Sequence, residues 1–75
     1  VKVSYDPQAD ALYFELRPLA PGTAQCRDLN EDVVADYGPD GKLAGIEILD
    51  ASELLGAGLD RVILEVAPIL TPKGE

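Results

Sequence analysis

One stretch constrains this chain more than any other: Asp36-Tyr37-Gly38-Pro39-Asp40-Gly41-Lys42-Leu43-Ala44-Gly45-Ile46-Glu47-Ile48-Leu49-Asp50. At its centre Pro39 sets φ for the second position of a type I turn. Asp40 suits the third position, and Gly41 supplies the left-handed residue that closes a bulged hairpin. Val33–Tyr37 before the turn has β character. After it, Ala44, Ile46 and Ile48 form an inward-facing set. The turn therefore clamps 33–37 against 42–49 antiparallel and fixes their register. Gly45, inside the second arm, marks a bulge or a close approach by another part of the chain. Asp50-Ala51-Ser52-Glu53 has the form of a capping box with Asp in the Ser/Thr place. Asp50 is thus expected to accept a backbone N–H near Glu53 and to start a short helix over Ala51–Leu55. Gly56 and Gly58 end that helix.

The residues upstream supply the rest of a sheet. Val1, Val3 and Tyr5 alternate with Lys2 and Ser4, the period of a half-buried strand. Asp6-Pro7-Gln8-Ala9-Asp10 breaks the pattern as a turn opened by Asp6. The next run, Ala11–Arg17, sends Leu12, Phe14 and Leu16 one way and Tyr13, Glu15 and Arg17 the other, so the two runs read as a hairpin. Pro18–Gly22 is a connection. Thr23–Leu29 reads as a strand near an edge, with Cys26 a small buried apolar residue, and Asn30-Glu31-Asp32 as a turn. The expected architecture is α+β: an antiparallel meander sheet of about five strands, with one short helix after the last main strand.

Length narrows what such a fold can do. Seventy-five residues make one domain, and a domain of this size buries only about 60% of its unfolded surface. Small folds supplement so thin a margin with disulfides, metals or a partner chain. A single cysteine excludes a disulfide within the chain, and the absence of histidine excludes closed His/Cys zinc sites. Self-association remains, and a homodimer is expected. Leu59–Leu70 fits that expectation. Val62, Leu64 and Val66 alternate with Ile63 and Glu65, and seven of these twelve residues are Leu, Ile or Val. The segment 59–75 is read as an apolar C-terminal strand or dimer contact, by strand exchange or edge addition.

Charge points outward. Fourteen acidic against six basic residues give a net charge of −8. Such a surface repels phosphate backbones, which argues against direct nucleic-acid binding, and it steers basic partners toward itself. No run of 18 apolar residues is present, so no membrane span is expected. A lone thiol, with no signal-peptide pattern at Val1–Tyr5, fits the cytoplasm.

Two blocks match a known pattern. Lys2-Val3-Ser4-Tyr5-Asp6 with Ala9-Asp10-Ala11-Leu12-Tyr13 resembles the YD-x-x-ADALY opening of the DUF2283 family of small bacterial and archaeal proteins. Val34–Tyr37, Asp40-Gly41 and Gly45-Ile46-Glu47-Ile48-Leu49-Asp50-Ala51-Ser52 resemble its D-x-DG-x-x-x-GIEILDAS block. Gly38 stands where that pattern has an acid, which leaves the turn intact and removes one ligand. The match covers about residues 2–55, and residues 1–58 are taken as the DUF2283-like domain. The resemblance implies a small β-sheet-plus-helix protein with no catalytic motif. Some members are regarded as antitoxins, because related genes accompany small toxin-like genes.

The matching carboxylates, Asp6, Asp10, Asp36, Glu47 and Asp50, are the candidates for a cation site. Asp6 and Asp10 share a turn, and Asp36 and Glu47 lie on paired strands. Each of the turn and cap acids also has a structural task, and no EF-hand spacing occurs. Tyr5, Tyr13 and Tyr37 could stack on bases but lack basic neighbours, and are read as filling half-buried sheet positions. Without a histidine as base, Cys26 is not expected to act as a nucleophile. No catalytic, cofactor or metal residue is assigned. The expectation is a non-enzymatic, acidic partner-binding protein, the antitoxin of a toxin–antitoxin pair, meeting a small basic toxin-like protein. The alternatives are a self-assembling structural domain and a carboxylate-based metal or small-molecule binder.

Overall fold

The computed structural model describes residues 1–67. Five strands, β1 (Lys2–Asp6), β2 (Ala11–Glu15), β3 (Gln25–Asp28), β4 (Val33–Tyr37) and β5 (Leu43–Ile48), precede a helix, α1 (Ala51–Leu55). A 3-10 turn over Gly56–Asp60 follows. All strand pairs are antiparallel and form one sheet.

The strand order is β1-β2-β5-β4-β3, so the meander is a correction. β5, not β3, lies beside β2, with Leu12 opposite Ile48 and Phe14 opposite Ile46. The physical reason lies in composition. β2 and β5 carry the bulkiest apolar residues and bury most by meeting at the centre. β3, Gln25-Cys26-Arg27-Asp28, is exposed at every residue and suits an edge. The Pro18–Gly22 connection carries the chain across to that far edge.

The central hairpin forms as its turn chemistry requires. Gly41 has φ +79°, its N–H donates to the Gly38 carbonyl at 2.9 Å, and the Gly38 N–H donates to the Lys42 carbonyl at 2.9 Å. Asp36 pairs with Gly45 and Tyr37 with Leu43, so Ala44 is the extra residue of a bulge. Its carbonyl accepts the N–H groups of both Leu16 and Arg17, at 2.8 and 3.1 Å. Arg17 then reaches the turn, donating to Asp40 at 2.7 Å and to the Lys42 carbonyl at 2.9 Å.

The core is thin. Its buried apolar residues are Ala11, Leu12, Ala35, Ala44 and Ala51. Val3, Phe14, Val33, Ile46 and Ile48 are only half-buried. Register places these five on one face with Leu12 and Ala35, and α1 and the 3-10 turn cover part of it. The segment 59–75 is expected as an apolar strand or a dimer contact, and a single chain speaks only to its local structure. Within it, residues 59–60 belong to the 3-10 turn and residues 61–67 have no regular structure; residues 68–75 lie outside the described residues. Alternation alone does not make a strand. Among the described residues no strand lies beside 61–67 to pair with its N–H and C=O groups.

Candidate functional site

The opposite face of the sheet is where the polar chemistry collects. Cross-strand pairing puts Glu15, Gly45, Asp36 and Cys26 in one row. Tyr13, Glu47, Val34 and Asp28 form the next row. Four carboxylates therefore share this face in a staggered arrangement, with Gly45 or Val34 between the two in each row and Lys2 opposite Glu15 at the β1 edge. Among the described residues the one ion pair, Arg17 with Asp40, lies at the hairpin turn and leaves these four alone.

At the centre of the face, Asp36 accepts two hydrogen bonds. The Tyr13 hydroxyl donates to Oδ2 at 2.8 Å and the Cys26 thiol to Oδ1 at 3.0 Å. Burial, and then the Asp36 carboxylate, push the Tyr13 hydroxyl up to about 12. The Asp36 hydrogen bond raises the Cys26 thiol above its ordinary value. A thiol held protonated is a poor nucleophile. Cys26 is exposed rather than buried as expected, because β3 is an edge strand. The Tyr13 ring lies against Gly45: a Cβ there would sit 2.6 Å from Tyr13 Cζ, closer still to the hydroxyl, and 3.2 Å from the Phe14 carbonyl. Gly45 is thus a close approach, and its strand carries a bulge as well. Beside this centre the 18–24 connection arches over Tyr13, Glu15 and Arg17, leaving a cavity of about 290 Å³.

The remaining candidate carboxylates are dispersed. Asp6 accepts the Gln8 and Ala9 N–H groups, at 3.0 and 3.4 Å, and so builds its own turn. Asp10, in the left-handed region at φ 52°, takes the Tyr5 hydroxyl at 2.6 Å. It also takes the Ser52 N–H at 3.0 Å and the Ser52 hydroxyl at 2.7 Å. The Tyr5 bond and then the Ser52 bonds hold its carboxyl below the usual range. Asp50 is also left-handed, φ 52°, and its side chain makes no cap bond. The capping box is therefore corrected: Asp10 serves as the side-chain cap of α1, and its carbonyl takes the Ala51 N–H at 3.0 Å.

Asp36 and Glu47 do share a face, as the pairing of their strands implies. Asp6, Asp10 and Asp50 do not join them. Among the described residues no three His, Cys, Asp or Glu side chains gather in a geometry that could hold a metal ion. The tyrosines are half-buried and do not form one platform. Tyr13 is on the acidic face, Tyr5 turns to Asp10, and Tyr37 lies under the Arg27 guanidinium at 5.5 Å. The Tyr13–Asp36–Cys26 chain escapes sequence reading, since its members are separated by 23 and 10 positions. The available signal was strand parity, once the order β2-β5-β4-β3 is known.

Among the described residues no helix is long and apolar enough to cross a membrane. The family described as a protein of unknown function, DUF2283, matches residues 2–52. No curated protein and no solved structure matches the chain.

Proposed function

The chain belongs to the DUF2283 family, and from that footing we propose that it is a non-enzymatic partner-binding protein of the cytoplasm, the antitoxin half of a toxin–antitoxin pair. Its mechanism is occlusion. The acidic sheet face lies over the basic active surface of a small toxin-like protein and denies it to substrate. The observation that carries this reading is the shared placement of Glu15, Asp28, Asp36 and Glu47 on one sheet face. Attraction between such a face and a basic surface raises the association rate and weakens with salt. The Tyr13 and Cys26 bonds to Asp36 hold one of these carboxylates in a fixed position at the centre of the face, which reduces the ordering cost of binding.

The test is to co-express this chain with any short basic protein that a neighbouring reading frame encodes, then to purify the complex and titrate it with salt. The expected result is a complex that weakens with salt, and weakens by about tenfold or more on Glu15→Lys with Glu47→Lys. A neighbouring product that passes through unbound, or a complex indifferent to both charge reversals, rejects the reading.

A further inference from the structure

The sheet face opposite the carboxylates is apolar and only partly covered. On it Val3, Phe14, Val33, Ile46 and Ile48 are only half-buried.

Two adjoining apolar features stand out on this surface. One is the sheet face with Val3, Phe14 and Ile46, together with a groove of about 290 Å³ lined by Leu12, Phe14, Leu55, Leu59, Arg61 and Val62. The other is the segment 61–67 leaving that groove, in which Leu64 is 85% and Val66 79% exposed. Neither Leu64 nor Val66 lines the groove of its own chain.

Charge decides what can cover the face. The strand positions that share it through the register, Val3, Tyr5, Leu12, Phe14, Gln25, Arg27, Val33, Ala35, Tyr37, Ile46 and Ile48, include no carboxylate. Two copies, each of net charge −8, can therefore bring these faces together with their acidic faces turned outward. Joining the acidic faces would set carboxylate against carboxylate.

We propose that a second copy of this chain covers the apolar face. The two sheets oppose about a two-fold axis, and Leu64 and Val66 of each copy enter the other's groove between Phe14 and Leu55. A two-fold interface is self-complementary, so one groove and one arm per chain satisfy both copies. The proposal does not depend on the toxin-binding reading, because it uses the other side of the sheet.

Sedimentation equilibrium on the full chain, from low to high micromolar in 0.15 M salt, tests it. The expected mass is twice 8.0 kDa. Leu64→Asp with Val66→Asp should keep the circular dichroism spectrum, since both side chains are exposed in the single chain. It should also raise the dissociation constant about tenfold or more, equivalent to about 1.4 kcal/mol. In a sample mixing isotope-labelled and unlabelled chains, contacts from the Leu64 and Val66 methyls to the Phe14 ring should run between chains. A single-chain mass across the range, a larger assembly, a double variant that dimerises unchanged, or contacts confined within one chain would overturn the proposal.

Discussion

At the scale of single residues, the acidic face depends on an absence. Gly45 has no side chain, and the Tyr13 ring occupies the space one would fill. That contact sets the Tyr13 hydroxyl against Asp36, which in turn engages Cys26. Adding a single methyl at position 45 forces the ring aside, and the nearby Phe14 carbonyl restricts the relief available from the backbone. Gly45→Ala is therefore expected to destabilise the fold by about 1–3 kcal/mol, the usual range for overpacking, measured as a shift in the urea midpoint. The cause is checked by a double-mutant cycle. In a Tyr13→Ala background the same substitution should cost much less, because the ring it displaces is gone. Equal costs in the two backgrounds would place the penalty in the backbone. A glycine inside an apolar β run marks a bulge or a close approach, and that much of Gly45 is legible in the sequence. What approaches it is not legible, because Tyr13 is 32 positions away and reaches Gly45 only through the β2–β5 pairing.

At the scale of elements, local chemistry was legible and long-range choice was not. The 38–41 turn could be read position by position, since Pro39 and Gly41 each satisfy a backbone requirement that few residues meet. The place of β3 could not. Its alternation resembles that of any half-buried strand, and its edge position follows from losing to β5 in the competition for β2. The start of α1 makes the same point. Asp50 has the right residue type for a side-chain cap, but its left-handed backbone turns the carboxylate away, and the role passes to Asp10, 42 positions from Ser52. No local pattern records this tie between the β1–β2 loop and the helix. It leads to an inverted expectation for two aspartates. Asp10→Ala should lower the melting temperature by on the order of 5 °C, through the loss of a helix cap together with the Tyr5 bond. Asp50→Ala removes no side-chain cap, and Asp50→Gly relieves a left-handed backbone and should be neutral or stabilising. Thermal melts of the three variants, followed by circular dichroism, check the ranking. An Asp50→Ala loss matching that of Asp10→Ala would restore Asp50 as the cap.

At the scale of the whole molecule, net charge shapes the response to salt and a few placed groups shape the response to pH. At neutral pH the chain carries −8, and mutual repulsion works against the compact state. Added salt screens it beyond about 8 Å at physiological ionic strength, so stability should rise with salt. The chain has no histidine to titrate between pH 7 and 5, and the profile there should be nearly level. Further acid acts through the placed groups. Tyr5 and Ser52 hold Asp10 below its ordinary value, and Arg17 does the same for Asp40. A carboxyl lowered in the native state gives a contribution that is complete above the unfolded value of about 3.9. That contribution disappears as pH falls through the lowered native values. The acid limb should begin near pH 4 and flatten in Asp10→Ala and Asp40→Ala. The alkaline limb is shared by Tyr13, Tyr5 and Cys26, all raised in the native state, with Tyr13 shifted to about 12. The Tyr13 hydroxyl starts from 10.0, so its contribution is complete below pH 10 and is lost as pH rises from there toward 12. Tyr13→Phe should shorten that limb while leaving the acid one in place. Urea midpoints at half-unit pH steps, with tyrosinate absorbance followed at high pH, would resolve both. Midpoints at pH 7 that fail to rise with added salt would mean that repulsion across the acidic sheet face does not govern the stability of this small domain.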